Sequence, residues 1–222
     1  NSRLAAWRVK VGDGWKSPAG REIVWRSRAD STPQLLCEII GDPATSTNES
    51  LACLRALDFQ AKGAVSEHVR PLVVSLPNDP EKTGVILPEL VLRLEPGDLA
   101  EPALRARVIE AAHLVPGTAT FYEITRRFRL PEFLPGLVVM ATLPGVDDGK
   151  AAEAVGLALE MQGEAAVGSI LAGGDEPAAR LLAVLGVRGD GKTLPLLEER
   201  VRDAAASPPS RADAVRAMIR TP

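Results

Sequence analysis

The stretch from residue 186 to residue 193, Gly-Val-Arg-Gly-Asp-Gly-Lys-Thr, is the sharpest chemical motif in the chain. It satisfies G-x-x-x-x-G-K-[ST], in which backbone N–H groups cradle phosphates, the lysine reaches the terminal phosphates and the hydroxyl holds Mg²⁺. A working P-loop must follow a buried strand, and the residues on both sides of this motif have helical periodicity instead. Pro195 adds a helix start directly after it. The sequence therefore predicts an inter-helix turn and no nucleotide.

The remaining residue types that catalyse reactions or bind metals are sparse and isolated. His68 and His113 are the only histidines, and neither has a second His or Cys one helical turn away, whereas a metal site needs three or four convergent ligands. No G-x-S-x-G elbow is present, and the acidic run Asp147, Asp148 and Glu153 suits a helix N-terminus. We therefore expect no catalytic residue, no cofactor and no metal site.

Cys37 and Cys53 have neither CxxC nor CxxCH spacing. The simplest interpretation is two buried helix residues, since free cysteine is among the most buried residue types. A single bridge between adjacent helices stays open if the protein is exported.

One cluster combines basic and aromatic side chains, and it could recognise a phosphate or a strand of nucleic acid. Its members are Tyr122, Arg126, Arg127 and Arg129, beside Phe121 and Phe128. Tyr122 and Arg126 are one helical turn apart, so an ordinary intrahelical stack explains them equally well. The formal net charge of −3 argues against nucleic acid as a partner. We keep these residues as a candidate interaction surface.

The composition predicts the elements that carry these residues. Aromatics make up only 4% of a chain that is 45% hydrophobic, and the rest of the apolar content is mainly Leu, Ala and Val, which suits helix packing. Proline at the first helical position loses no hydrogen bond, so a polar residue followed by Pro predicts a helix start. Such pairs occur at Ser17-Pro18, Thr32-Pro33, Asp79-Pro80, Glu101-Pro102 and Glu176-Pro177.

The helical segments between these starts are short and amphipathic. In the last third, Ala178, Leu181, Leu182 and Leu185 fall at i, i+3, i+4 and i+7, and the same face recurs after residue 194. Helix, turn, helix in succession is typical of an α-solenoid. We predict an all-α, irregular HEAT-like solenoid of stacked helical hairpins over residues 17–222, with a helix break at Pro71.

The first sixteen residues have a different pattern. Trp7, Val9, Val11 and Trp15 occupy alternating positions, which favours a short strand or an extended arm. We expect residues 1–16 to form an N-terminal arm that caps the first hairpin.

Two parts of the chain carry a resemblance to known families. The stretch PAARLLAVLGVRGDGKTLPLLEERV (177–201), followed by RADAVRAMI (211–219), resembles HEAT repeats of the phycobilisome-lyase type. The runs GWKSPAGREIVWRSRADSTPQLLCEII (14–40) and ESLACLRALDF (49–59) are similar to the helical region of large PVC-type haem-binding, membrane-bound dehydrogenase-like proteins. In that family the helical region lies between a sugar-dehydrogenase-like propeller and a c-type cytochrome domain.

This resemblance implies an architecture and an exported parent protein, hence a periplasmic or cell-envelope location. The chain has no CxxCH and no propeller motif, so neither haem nor oxidoreductase chemistry carries over to any residue. It starts with Asn1 and not with Met, which is consistent with a segment of a longer protein. No run approaches the ~20 apolar residues that span a bilayer.

The functional expectation is a non-catalytic scaffold that binds another protein or a neighbouring domain of its own parent chain. The alternative is a HEAT-like nucleic-acid enzyme of the alkylpurine glycosylase type, which would use a basic concave surface and stacked aromatic rings. A third reading places the segment against the haem domain of an exported oxidoreductase.

Overall fold

The fold is all-α, as the sequence predicts. The computed structural model describes residues 2–76, 79–173, 175–188, 191 and 193–220. Within these ranges the chain forms fourteen α-helices and three short 3-10 helices, with no strand.

By its internal contacts the chain divides into two compact units, residues 1–128 and residues 129–222. The first contains α1 (Ser2–Val11), α2 (Pro18–Arg26), α3 (Thr32–Gly41), α4 (Thr47–Leu57), α5 (Lys62–Ser75), α6 (Pro80–Val91), α7 (Pro102–Leu114) and α8 (Ala119–Phe128). The second contains α9 (Leu134–Thr142), α10 (Asp148–Glu160), α11 (Glu164–Ala172), α12 (Asp175–Arg188), α13 (Leu194–Arg202) and α14 (Pro208–Arg220). The 3-10 helices are Gly12–Lys16, Pro96–Ala100 and Pro131–Phe133. The division into an arm of residues 1–16 and a repeat domain of residues 17–222 stays a prediction.

In the first unit the helices contact one another in two rows. Helices α2, α4, α6 and α8 pack in succession and are called the even row here, while α3, α5 and α7 form the odd row. Sequence neighbours pack across the rows, α3 on α4, α5 on α6 and α7 on α8. The core between them is aliphatic, with Leu36, Ile40, Val69, Leu87 and Val108 all fully buried. Burial of this surface is the main term that stabilises the unit.

The second unit repeats the pattern of contacts. Helices α10, α12 and α14 pack in succession, as do α9, α11 and α13, and α9 packs on α10, α11 on α12 and α13 on α14. The apolar face predicted for α12 is confirmed, because Ala178, Leu181, Leu182 and Leu185 are each 0% exposed.

The proline-based helix starts are also confirmed. Helices α2, α6 and α7 begin at Pro18, Pro80 and Pro102, and α3 and α12 carry their prolines in the first turn. At Pro18 the Oγ of Ser17 accepts a hydrogen bond from Gly20 N at 3.3 Å, which satisfies a donor that the helix leaves without a partner.

The extended conformation predicted for residues 1–16 is wrong. Ser2–Val11 is an α-helix and Gly12–Lys16 a 3-10 helix. Trp7 and Val11 are one helical turn apart and half-buried, while Val9 between them is 85% exposed. The alternation was therefore incidental, since Trp7 and Val11 also share one helical face. Whether this segment caps the first hairpin stays a prediction.

The helix break predicted at Pro71 is wrong as well. Helix α5 continues through Pro71 to Ser75. Core residues flank the proline on both sides, Val69 before it and Leu72 and Val73 after it, and all three are buried. Packing on both sides holds the segment in one helix although the proline removes an internal hydrogen bond.

Helix α10 ends in a left-handed turn that uses a glutamine. Gln162 has φ 65°, a value at which glycine is usual. The next residue, Gly163, donates its N–H to the carbonyl of Ala158 at 2.9 Å. A Cβ built on Gly163 would lie 2.6 Å from that same carbonyl oxygen, so the turn requires glycine here.

Helix length and hydropathy also bear on membranes. Among the helices that the structure describes, none combines the length and the apolar character needed to cross a bilayer.

Candidate functional site

The structure places one residue of the predicted interaction surface, Tyr122, in the core. Tyr122 is 2% exposed and packs edge to face on Phe121, with ring centroids 5.4 Å apart. Its ring therefore lies in the core and has no face for a ligand. Arg126 and Arg127 lie on the same helix and are exposed, whereas Arg129 belongs to the second unit and has φ 48°.

The P-loop-like stretch begins inside a helix. Gly186 lies in the last turn of α12, and Gly189, Asp190 and Lys192 lie outside the described residues. A Cβ on Gly186 would lie 3.0 Å from the Cα of Ala217 on α14, so this glycine permits two helices to approach closely. Helix packing thus accounts for the first glycine of the motif.

The two histidines lie on different helices. His68 is half-buried on α5 and His113 is exposed at the end of α7. The described part of the chain holds no group of His, Cys, Asp and Glu side chains suited to a metal ion.

Both cysteines are free, buried and helical, as the simplest interpretation had them. Burial raises the pKa of each thiol to about 12. The Cys53 sulfur adds to the shift at Cys37, and Glu49 adds to the pKa shift at Cys53 while Arg21 opposes it. Neutral, buried thiols are poor nucleophiles.

The surface of the even row carries a feature that the sequence does not reveal. Three depressions follow one another along it, with volumes of about 180, 530 and 270 Å³. Arg55 lines the first and the second, and Arg93 lines the second and the third. We call these three neighbouring depressions together the arginine groove. Its cationic residues are Arg26, Arg28, Arg55, Lys62, Arg93 and Arg127.

The first depression joins aromatic rings to guanidinium groups. Trp25 is 41% exposed and donates its indole N–H to the carbonyl of Ala52 at 3.1 Å, which fixes the ring. Phe59 is 70% exposed, and the Arg28 guanidinium lies 5.4 Å from its ring centroid. Arginine over an aromatic face is a favourable cation–π arrangement.

The second depression has an apolar floor. Leu54 and Pro88 are buried in it, Val85 on α6 is 44% exposed, and Gly84 leaves open space. A Cβ added at Gly84 would contact nothing within 4 Å.

Arg93 separates the second depression from the third. Its Nη2 donates to Asp58 Oδ2 at 2.9 Å, and its Nη1 donates to the carbonyl of Glu89. Its Nε is buried and has no hydrogen-bond partner among the described residues. A buried donor without an acceptor costs free energy, so this guanidinium is only partly satisfied.

The third depression contains Arg127, the one predicted site residue that lies in the groove. Its Nε and Nη2 both donate to the carbonyl of Leu94, at 3.2 and 2.8 Å. The carboxylate of Glu95 is 3.7 Å away. Lys62 lines the same depression, and among the described residues it has no carboxylate partner.

The N-terminal ends of the same helices hold a different set of charges. The Arg21 guanidinium donates to Thr45 Oγ1 at 2.8 Å, to Glu49 Oε2 at 2.9 Å and to Asp42 Oδ2 at 3.0 Å. Lys82 is 7% exposed and donates to the carbonyls of Asp42 and Thr45 at 2.9 and 3.3 Å. Burial lowers the pKa of Lys82, and the Asp42 carboxylate partly offsets that effect.

The second unit has its own depression, of about 440 Å³, between α11 and α13. Glu164, Glu199 and Asp203 line it together with Arg200. Arg200 is 6% exposed and is satisfied by Ser210 Oγ at 2.9 Å and by Asp203 at 3.0 Å. This surface is therefore acidic, in contrast to the arginine groove.

Comparison of the chain with protein-family models, with curated proteins and with solved structures gave no match.

Proposed function

We propose that this chain is a non-catalytic helical-repeat scaffold that holds another polypeptide, with each unit a short HEAT-like α-solenoid. The observation that carries the proposal is the order of helix contacts. In both units alternate helices pack in succession while sequence neighbours pack across the rows. Stacked hairpins of this kind bury a continuous core and expose extended faces that repeat proteins use for binding.

The arginine groove is the extended face that supports an interaction role. It runs along the even row and exposes Trp25, Phe59 and Val85 beside several cations. Interfaces are enriched in aromatic residues and arginine, which combine apolar area with hydrogen bonding. The partner would be another protein or a neighbouring domain of the same parent chain.

A nucleic-acid ligand is the second candidate, because arginines and exposed rings also suit single strands. The groove, however, includes the carboxylates of Asp58, Glu89 and Glu95, which would repel phosphates. The chain also has a formal net charge of −3, which opposes a strand with a phosphate at every nucleotide more strongly than a peptide with a few carboxylates. These charges favour a polypeptide ligand over a nucleic-acid ligand. By the same argument they favour a scaffold over an enzyme of the glycosylase type, which would have to bind nucleic acid.

Photo-crosslinking tests the proposed function. A photoreactive amino acid at Val85 would lie in the groove, and Val74 on the odd row is a matched control, since the two are 44% and 45% exposed. In cells that express the protein naturally, we expect polypeptide adducts from position 85 that are absent at position 74. Equal labelling at both positions, or adducts to nucleic acid, would overturn the proposal.

Truncation tests the solenoid arrangement separately. In a solenoid each hairpin depends mainly on its neighbours, so a chain that ends at residue 188 should keep hydrogen-exchange protection in α9 and α10. Complete loss of protection throughout residues 129–188 would show that the second unit is a single cooperative globule and not a stack of hairpins.

A further inference from the structure

The cations of the arginine groove differ in how far the protein satisfies them. Arg93 and Arg127 have carbonyl acceptors and nearby carboxylates. Arg28 donates to the carbonyl of Ser27 and stacks on a ring, and it has no carboxylate partner among the described residues. Arg55 and Lys62 also have no acidic partner among the residues that the structure describes. Three cations along one groove are therefore available to an external anion.

A structural role in the helices does not account for all three. Arg55 lies in the last turn of α4, where a cation complements the helix dipole. Lys62 is the first residue of α5, where the dipole disfavours a cation. Its position is unfavourable for its own helix, so a role outside that helix explains it better.

We propose that the arginine groove binds an extended acidic polypeptide segment, whose carboxylates pair with Arg28, Arg55 and Lys62 while an apolar side chain fills the central depression. This inference rests on the proposed scaffold function and specifies the chemistry of its partner. The central depression, about 530 Å³, has an apolar floor at Leu54 and Pro88. An occupant must therefore be acidic at its flanks and apolar in the middle.

The groove's own charges favour a peptide carrying carboxylates over a chain of phosphates. The groove's own carboxylates, Asp58, Glu89 and Glu95, lie among the cations, and they would repel a ligand that carries a phosphate on every nucleotide. A peptide spaces its charges with neutral side chains and backbone amides, so its carboxylates approach cations selectively. Bidentate pairing with arginine then adds orientation.

The test uses a fluorescently labelled synthetic peptide in which glutamates flank a central leucine, with the whole chain as receptor and fluorescence anisotropy as the readout. We expect saturable binding that weakens as salt is raised, because the partners are exposed charges. The same peptide with glutamine in place of glutamate should not bind. Arg55→Glu should weaken binding about tenfold, and Arg202→Glu, an exposed charge reversal in the second unit, should leave it unchanged.

A steric block separates binding in the groove from general charge attraction. Gly84→Leu places a side chain into the central depression, where an added Cβ meets nothing, and should abolish peptide binding without changing any charge. Gly136→Leu on α9 is the matched control, since its Cβ also meets nothing within 4 Å. Circular dichroism of both variants checks that the fold is kept.

The outcomes separate this inference from the function on which it rests. If position 85 crosslinks to a polypeptide but the glutamate peptide does not bind, the acidic specificity is wrong and the scaffold role stands. Tighter binding of a single-stranded oligonucleotide than of the peptide would overturn both. Peptide binding that survives Gly84→Leu would place the acidic site elsewhere and overturn the inference.

Discussion

The helices of the even row carry similar cations at their N-terminal and C-terminal ends, but the two sets differ in how many hydrogen-bond acceptors surround them. We call the N-terminal ends the enclosed end and the C-terminal ends the open end. At the N-terminal ends of α2, α4 and α6, Arg21 and Lys82 are enclosed by carboxylates, carbonyls and a hydroxyl. At the C-terminal ends, Arg55 lacks an acidic partner among the residues that the structure describes, and Arg93 keeps a buried donor without an acceptor. The number of cationic side chains does not distinguish the two ends. The supply of acceptors around each cation does so.

The largest effect should come from the enclosed end. Arg21→Ala removes the donor shared by Asp42, Thr45 and Glu49 and leaves two partly buried carboxylates unpaired. We expect a loss of about 2–3 kcal/mol in the free energy of unfolding, below the value for a fully buried pair because both carboxylates keep some contact with solvent. Urea denaturation measures it.

Arg55→Ala is the matched control at the open end. Its side chain has no acidic partner in the described chain, so the loss should stay within about 0.5 kcal/mol. Equal losses for the two variants would show that the ends do not differ as the contacts indicate.

The two lysines provide a second, smaller contrast. Lys82→Met removes the donor to the carbonyls of Asp42 and Thr45 while keeping the length of the side chain. We expect a loss of about 1–2 kcal/mol, because two carbonyls lose their partner. Lys62→Met should change stability by no more than about 0.5 kcal/mol. Thermal and urea unfolding of both variants measure the difference.

The buried thiols near the enclosed end make its stability depend on pH. Unfolded thiols release protons above about pH 9, whereas Cys37 and Cys53 hold theirs to about 12 in the folded state. The unfolded state then binds fewer protons, so stability must fall as pH rises from about 9 to about 12, by at most ~1.4 kcal/mol per pH unit for each thiol.

A chain with Cys37→Ala and Cys53→Ala should lose stability less steeply over that range. Urea unfolding under reducing conditions at about pH 8 and about pH 10 measures the difference in slope. Lys82 has the opposite sign, since its folded pKa is lowered, but it is common to both chains and cancels. Identical slopes would contradict the raised thiol pKa values.

A small change in the opposite direction, a gain in stability, should come from the groove. Gly84→Ala adds a methyl group within α6 that contacts nothing, and it lowers the entropy of the unfolded chain. We expect a stabilisation of about 0.5–1 kcal/mol. Gly186→Ala should instead destabilise, because its Cβ would meet the backbone of Ala217. Differential scanning calorimetry detects the sign of each change.

The starts of the helices were predictable because the signals that set them are local in the sequence. Proline marks a helix start through its own φ and its missing donor, and this requires no knowledge of distant residues. The same logic failed at Pro71, where the packing of Val69 and Leu72 from both sides outweighs a local preference. Local prediction also failed before residue 12, where the apolar residues fit both the alternation of a strand and the spacing of a helix.

The arginine groove was not predictable because its residues are distant in the sequence. Only Arg127 was chosen, and it was grouped with Tyr122, which turned out to be a core residue. A usable signal did exist. Arg26, Arg55 and Arg127 each lie in the last turn of a helix, and these helices, α2, α4 and α8, all belong to the even row.

The turn that ends α10 constrains how this segment could change over generations. Replacing Gln162 by glycine is permitted and would relieve a positive φ, while any side chain at Gly163 meets the Ala158 carbonyl. The two positions are therefore unequal under mutation. Evolution can therefore exchange Gln162 and glycine in either direction. A glutamine at position 163 would clash with the Ala158 carbonyl whatever residue precedes it. Relatives of this chain should therefore vary at position 162 and keep glycine at position 163.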